Sequence, residues 1–272
     1  MQELTIWQAV VLGAIQGFTE FLPVSSSAHL SLTPWLFGWE PGGLGFDLAL
    51  HVGTLSALLW YFRAEWRVLV GGGLTLLRRG RVVDDPSRRA FFIIVATIPA
   101  AGAGLLLEEY AETIFRAPIV TALALIVMGL LLWWVDAKAS RVRHRESMTW
   151  RDALLVGMAQ ILALVPGVSR SGSTITAGRA LGFDRSSAAV FSFLMSMPII
   201  LGAAIFKMPD ALREDGITLP LVAGVLSAAI SSGIAINVLL RYVSRRSYGI
   251  FAVYRIVLGA VILGILAMRA AS

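Results

Sequence analysis

Long apolar stretches separated by short polar gaps dominate the 272-residue chain. A helix needs about 20 mostly apolar residues to cross roughly 30 Å of hydrocarbon. Six stretches meet that requirement, at about 46–62, 90–107, 117–135, 188–206, 217–240 and 250–268. We therefore predict an all-α polytopic membrane protein with six transmembrane helices.

Two further apolar stretches, 5–37 and 150–182, are interrupted near their middles. Pro23 precedes three consecutive serines in the first, and Pro166 precedes a glycine- and serine-rich segment in the second. Proline removes a helical donor and constrains the residue before it, while serine favours the start of a new helix. Each stretch is therefore predicted to be a re-entrant helical hairpin, which dips into the membrane and returns.

The charged residues support this topology. Only 15% of residues are charged, against about a quarter in soluble domains. The basic residues behind the net charge of +6 cluster in the gaps 63–89, 136–151 and 241–246, whereas 108–116 is acidic and 207–216 is balanced. With two hairpins and six spans, all three basic gaps lie on one side and both termini lie outside. This pattern is typical of a membrane protein and not of a nucleic-acid-binding protein.

The two halves of the chain share a motif. Gly13-x-x-Gln16 leads into the first break, and Gly157-x-x-Gln160 leads into the second. The predicted topology inserts the hairpins from opposite sides, so the single integral membrane domain, 1–272, would hold an inverted repeat of about 1–135 and 150–268. The alternative is independent convergence of two segments on proline, glycine and serine.

Reactive side chains gather at the first break. Gln16 and Glu20 share one helix face, and Ser26 and His29 follow at the start of the next helix. A helix start suits phosphate, and carboxylate and amide oxygens suit Mg²⁺ or Ca²⁺. A charge at membrane depth costs about 2.5–3.5 kcal/mol, which favours a functional site over an N-capped interfacial turn.

The second break surrounds one arginine, Arg170, with hydroxyl groups. A guanidinium combined with the amides of a helix start forms a strong phosphate clamp. The alternative is a packing seam of small residues, which explains Gly172 better than it explains Arg170. The roles of His51, Asp47 and Arg179 stay open at this stage; Asp184 is one potential partner for Arg179.

Both breaks resemble motifs of the undecaprenyl pyrophosphate phosphatases of the bacitracin-resistance type. Gln16-x-x-x-Glu20 is similar to the family's (E/Q)-x-x-x-E motif. The segment from Pro166 to Thr174 matches P-G-x-S-R-S-x-x-T at every defined position. The Leu-Pro-Val-Ser-Ser stretch and His29 match as well. Gln16 provides an amide at the first position, so only one of the two motif positions is acidic.

The resemblance implies hydrolysis of undecaprenyl pyrophosphate to undecaprenyl phosphate and inorganic phosphate. This reaction would recycle the lipid carrier for cell-wall synthesis and confer resistance to bacitracin, which competes for the substrate. The family needs a divalent metal, Mg²⁺ or Ca²⁺, here held by Glu20 and Gln16. The implied catalytic residues are Glu20, Ser26, His29 and Arg170, and the implied phosphate ligands are Ser25, Ser27, Ser169, Ser171 and Thr174. Ser26 and water remain alternative nucleophiles.

The resemblance also implies a location and leaves one rival function. The expected place is the bacterial cytoplasmic (inner) membrane, with the site facing the periplasm, a polyisoprenyl pyrophosphate lipid as the partner and homodimer formation open. The rival is a transporter or flippase of an anionic lipid, because broken helices in inverted repeats are typical of transporters. A phosphatase of the phosphatidic-acid-phosphatase class is disfavoured, since its K-x6-R-P signature is absent.

Overall fold

The computed structural model describes residues 4–107 and 117–271. These residues form eleven α-helices. In chain order they are α1 (Ile6–Phe21), α2 (Ser26–Phe37), α3 (Gly43–Tyr61), α4 (Arg63–Arg79), α5 (Asp85–Leu106), α6 (Pro118–Lys138), α7 (Trp150–Ile161), α8 (Arg170–Ala180), α9 (Arg185–Asp215), α10 (Leu219–Val243) and α11 (Gly249–Ala271).

Six of these helices, α3, α5, α6, α9, α10 and α11, are long and apolar enough to cross a membrane. They coincide with the six stretches that the sequence predicts, which confirms the prediction of an all-α polytopic protein. The short apolar segment 68–77 has too few residues to cross a membrane. It forms part of α4, which begins directly after α3 and packs against α5. The acidic gap 108–116 lies outside the described residues.

The two interrupted stretches form helix–break–helix units, α1–α2 and α7–α8. Each unit begins with a capping box, formed by Thr5 and Gln8 in α1 and by Thr149 and Asp152 in α7. In each pair, the side chain of either residue accepts a hydrogen bond from the backbone amide of the other. Such boxes satisfy amides that a helix start leaves unpaired. The units thus share a local design, while their re-entry into a membrane and the inverted repeat stay predictions.

Each unit packs against a long helix from the other half of the chain. Helix α1 lies along α10, and α7 lies along α5. Small residues permit the close approach: a Cβ atom added at Gly17 would overlap the Ala228 carbonyl oxygen, and one added at Gly157 would overlap the backbone of Ala96. Close packing of this kind replaces the hydrophobic driving force that lipid does not supply.

Contacts also join two of the three basic gaps and reach the segment just beyond the third. Arg145 donates to the Glu65 carboxylate at 3.0 Å, which connects the gaps 136–151 and 63–89. The Asp136 carboxylate accepts from the Tyr248 amide at 3.0 Å, which connects the end of α6 with the start of α11. The predicted grouping of the basic gaps therefore has a physical counterpart in the fold.

A buried ionic cluster anchors this region. Asp136, 2% exposed, accepts from Arg179 at 2.8 Å and from Arg185 at 2.7 Å. Arg179 is 0% exposed and is held at the end of α8. Its ionic partner is therefore Asp136; Asp184, the other potential partner, instead pairs with His144. One carboxylate thus serves two guanidinium groups, and Arg179 also donates to the Ser140 and Ala139 carbonyls, so its buried charge is hydrogen-bonded on several sides.

Candidate active site

The two breaks meet in space although they are far apart in the sequence. The Ser25 hydroxyl accepts a hydrogen bond from the Gly167 amide at 3.2 Å. The Ser171 hydroxyl donates in return to the Leu22 carbonyl at 3.0 Å. Backbone groups inside an apolar body need such partners, because no bulk water satisfies them. Each break therefore completes the hydrogen bonding of the other.

A buried arginine on α11 reinforces this junction. Arg255 is 0% exposed and donates to the carbonyls of Pro23 at 3.1 Å, Gly167 at 2.7 Å and Val168 at 2.8 Å. Its guanidinium thus binds acceptors from both breaks at once. The apolar run 250–268 predicts a span but does not predict this contact. A single arginine inside that apolar stretch was the available signal, since intramembrane charges are seldom without a function.

Both breaks use the same unusual backbone conformation. Ser25 has φ 75° and Ser169 has φ 71°, and within 4–107 and 117–271 these are the non-glycine residues with positive φ. Each serine is the residue immediately before the second helix of its unit. Such conformations cost about 1–3 kcal/mol and persist where the surrounding structure enforces them. Here the bonds between the two breaks supply that enforcement.

Glu20 is the centre of the polar cluster. It is 7% exposed, and its Oε1 accepts from the Arg170 guanidinium at 2.7 Å. Its Oε2 accepts from the Ser26 hydroxyl at 2.6 Å and from the Gln16 amide at 3.0 Å. The structure therefore brings together Gln16, Glu20 and Ser26 from the first break with Arg170 from the second.

His51, whose role the sequence left open, also faces this carboxylate. Its Nε2 lies 3.6 Å from Glu20 Oε2. Its Nδ1 lies 2.7 Å from the Asp47 carbonyl oxygen. A carbonyl only accepts, so Nδ1 carries the proton and Nε2 of the neutral ring keeps its lone pair. The cluster therefore includes an imidazole that comes from the first span.

The cluster reaches the protein surface on the side of α2. Ser26 is half-buried, Ser27 is exposed, and the Arg170 side chain is 16% exposed. No side chain caps α2, because Ser25 uses its hydroxyl for Gly167. Free first-turn amides and the positive end of the helix dipole favour an anionic ligand. Phosphate oxygens could therefore reach α2 and Arg170 together.

His29 is held in a separate arrangement. Its Nδ1 donates to the Ser25 carbonyl at 2.7 Å, and its Nε2 lies 2.6 Å from the Tyr254 hydroxyl on α11. Both ring nitrogens are thus engaged away from Glu20. The predicted acid–base role of His29 stays a prediction, and Tyr254 is a further neighbour that the sequence analysis did not identify.

The remaining predicted phosphate ligands already have partners within the protein. Ser169 caps α8 by accepting from the Gly172 amide at 3.0 Å. Ser171 bonds to Leu22, and the buried Thr174 hydroxyl donates to the Arg170 carbonyl at 2.7 Å. These contacts give the three hydroxyls a structural use. Direct contact of Ser25, Ser27, Ser169, Ser171 or Thr174 with phosphate stays a prediction.

The donors around Glu20 fit a divalent cation in part. Gln16 Oε1 is buried and has no hydrogen-bond partner, so this oxygen is available to bind a cation. The part of the chain that the structure describes contains no group of three or more His, Cys, Asp and Glu side chains arranged for a metal. Mg²⁺ commonly uses one or two protein oxygens together with substrate phosphates and water. Glu20 and Gln16 match that kind of site.

Comparison with known proteins places this geometry in a family. The family model described as bacitracin resistance protein BacA matches residues 9–261. A protein of Gemmatimonas aurantiaca named undecaprenyl-diphosphatase is 60% identical over 98% of this chain and 100% of its own length. Undecaprenyl-diphosphatases of Moorella thermoacetica and Geobacter sulfurreducens are each 48% identical, again over 98% of this chain and 100% of their own. The chain therefore belongs to the bacitracin resistance protein BacA family.

Proposed function

We propose that this protein hydrolyses undecaprenyl pyrophosphate to undecaprenyl phosphate and inorganic phosphate at the junction of the two breaks. The observation that carries the proposal is Glu20, which lies between the Ser26 hydroxyl at 2.6 Å and the Arg170 guanidinium at 2.7 Å. The names of the relatives support the same substrate. Recycling of the lipid carrier would serve cell-wall synthesis and counter bacitracin, which competes for that lipid.

Arg170 is the group that binds the terminal phosphate. Its Nη2 contacts Glu20, while the rest of the partly exposed guanidinium has further donors for phosphate oxygens. Phosphoryl transfer depends mainly on positioning and on neutralising charge. A guanidinium fixed by a buried carboxylate is preorganised for this task, because it needs little rearrangement when charge develops.

Glu20 and Ser26 perform the proton transfer. The Ser26 hydroxyl already donates to Glu20 Oε2, so the carboxylate takes this proton as the Ser26 oxygen forms its bond to the terminal phosphorus. The bond between that phosphorus and the bridging oxygen breaks, and undecaprenyl phosphate leaves with the electron pair. Glu20 gives up this proton to the solvent. It then accepts a proton from the water that attacks the phosphoserine and donates it to the departing Ser26 oxygen, which releases inorganic phosphate. In the alternative that the sequence left open, Glu20 activates water directly.

Gln16 and Glu20 are the proposed residues for a divalent metal, Mg²⁺ or Ca²⁺. Two observations support this assignment: Gln16 Oε1 has no hydrogen-bond partner, and the nitrogen of the same amide lies 3.0 Å from Glu20 Oε2. A bound cation would neutralise charge on the diphosphate. The amide contributes less charge than a second carboxylate would, so the phosphates of the substrate complete the ligand set in this proposal.

The proposed location is the bacterial inner membrane, with the reactive junction open to the periplasm. The six candidate spans and the contacts that join basic gaps support this orientation, because basic loops stay in the cytoplasm. The transporter alternative lacks comparable support. Ser26 bonded to a buried carboxylate provides a nucleophile and a base, and binding an anion requires neither.

The test is phosphate release from undecaprenyl pyrophosphate by the detergent-purified protein in Mg²⁺, Ca²⁺ or EDTA. Glu20→Ala and Arg170→Ala should each lower kcat about 10³-fold or more, and EDTA should abolish release. Matched controls are Glu146→Ala and Arg141→Ala, both exposed on the opposite face, which should stay within about twofold of wild type. Lipid binding without phosphate release under any metal condition would favour the transporter.

A further inference from the structure

His51 has the local environment of a metal ligand. Its Nδ1 donates to the Asp47 carbonyl at 2.7 Å, so Nε2 is the ring nitrogen that can present a lone pair to a metal. Histidines that ligate metals usually donate their second ring nitrogen to a carbonyl or carboxylate in this way, which fixes the tautomer and the ring orientation. The side chain is 32% exposed, which leaves a route for an ion.

The distance between the ring and Glu20 also fits a role as a metal ligand. His51 Nε2 lies 3.6 Å from Glu20 Oε2. An imidazole nitrogen and a carboxylate at this distance are stable together when a positive species lies between them, which is either a proton on Nε2 or a metal ion. Two atoms that each bind one metal at about 2.1 Å in tetrahedral geometry are separated by about 3.4 Å. The observed separation therefore fits two ligands of one ion.

A second and independent observation comes from Gln16. Its side chain is 0% exposed, and its Oε1 has no hydrogen-bond partner. A buried amide oxygen without a partner costs about 1–3 kcal/mol, so a ligand that engages it would be stabilising. The amide nitrogen contacts Glu20 Oε2 at 3.0 Å, and rotation of the amide about its last bond would bring the oxygen to the carboxylate instead.

We propose that His51 Nε2 is a direct ligand of the divalent metal in this site, together with Glu20 and Gln16. This inference rests on the proposed function, which places a metal at Glu20, and it changes the expected identity of that metal. Mg²⁺ and Ca²⁺ prefer oxygen ligands, whereas imidazole favours first-row transition metals. The site should therefore select ions such as Co²⁺ or Zn²⁺ more strongly than an all-oxygen site would, and Mn²⁺ serves as a paramagnetic probe of the same ligands.

The experiment detects the metal–nitrogen bond itself and does not depend on activity. Metal-free, tag-free protein is loaded with Mn²⁺ alone, and electron spin echo envelope modulation detects ¹⁴N nuclei bonded to the ion. The chain has three histidines, so three single variants cover every imidazole. Wild type, His29→Gln and His144→Gln should show the ¹⁴N modulation, and His51→Gln should lose it.

In calorimetric titrations His51→Gln should weaken Co²⁺ binding about tenfold or more and Mg²⁺ binding less than about threefold.

Incorporation of ¹⁵N-histidine into wild type keeps the test valid if His51→Gln fails to fold. The modulation should then change to that of ¹⁵N, and its persistence in His29→Gln and His144→Gln would leave His51 as the ligand. Absence of nitrogen modulation in wild type, or its survival in His51→Gln, overturns the proposal. Phosphate release in Mg²⁺ distinguishes the two conclusions: release without nitrogen coupling rejects only the His51 ligand, and coupling without release rejects only the hydrolase.

Discussion

The two breaks share one backbone feature but carry opposite chemistry. Ser25 and Ser169 occupy equivalent places and share a positive φ. Next to them, however, the first break carries Ser26 with the Glu20 carboxylate, and the second carries Arg170. A carboxylate and a guanidinium from separate halves neutralise each other in an apolar body, where either charge alone would be costly. The difference indicates that neither unit forms a site without the other.

The serines that start the two second helices also have different uses. Ser169 caps its own helix by accepting from Gly172 at 3.0 Å. Ser25 instead accepts from Gly167 at 3.2 Å in the other break, and α2 has no side-chain cap. The first break therefore leaves helix amides free for an anion, while the second satisfies its own. We interpret the first break as the reactive unit and the second as the unit that binds and supports.

The largest effect that separates the two units should come from Ser26→Ala. Loss of the hydroxyl that donates to Glu20 should lower kcat about 10³-fold, equivalent to about 4 kcal/mol, because the attacking group is removed. The control is Ser171→Ala in the second break, whose hydroxyl bonds to Leu22; its loss should be below about tenfold. Phosphate release under saturating substrate measures both. Equal losses in the two variants would contradict the division into reactive and supporting units.

An intermediate effect is expected at the residue that joins the units. Arg255→Met should lower the free energy of unfolding by about 3 kcal/mol, because three buried carbonyls from both breaks lose their charged donor. Unfolding in mixed detergent and dodecyl sulfate micelles, followed by tryptophan fluorescence, measures the change. The exposed Arg246→Met serves as control and should change stability by less than about 0.5 kcal/mol. Unchanged stability of Arg255→Met would show that other donors satisfy these carbonyls.

The smallest effect concerns the helix cap of the second break. Ser169→Ala should cost about 1 kcal/mol of unfolding free energy, since the Gly172 amide loses its acceptor. Activity should fall far less than in Ser26→Ala, because Arg170 keeps its contact with Glu20. The same unfolding assay applies, with the exposed Ser244→Ala as control. A loss of activity as large as that of Ser26→Ala, at unchanged stability, would mean that Ser169 itself contacts the substrate.

The sequence by itself determined the membrane class, the six candidate spans and the position of both breaks. These features depend on local properties: the length of an apolar run, the missing amide of proline, and the capping preference of serine. The motifs at Gln16–Glu20 and Pro166–Thr174 also sufficed to indicate the family. Helix start and stop signals act within a few residues, so they can be read without the fold.

The tertiary structure alone decided which residues meet. The contact of Arg170 with Glu20 joins positions in opposite halves of the chain, and no periodicity in either segment specifies it. The structure assigned Arg255 to both breaks, directed His29 toward Tyr254 and placed His51 beside Glu20. Such contacts depend on how helices pack and on which buried donors and acceptors remain to be satisfied, and both are properties of the assembled bundle.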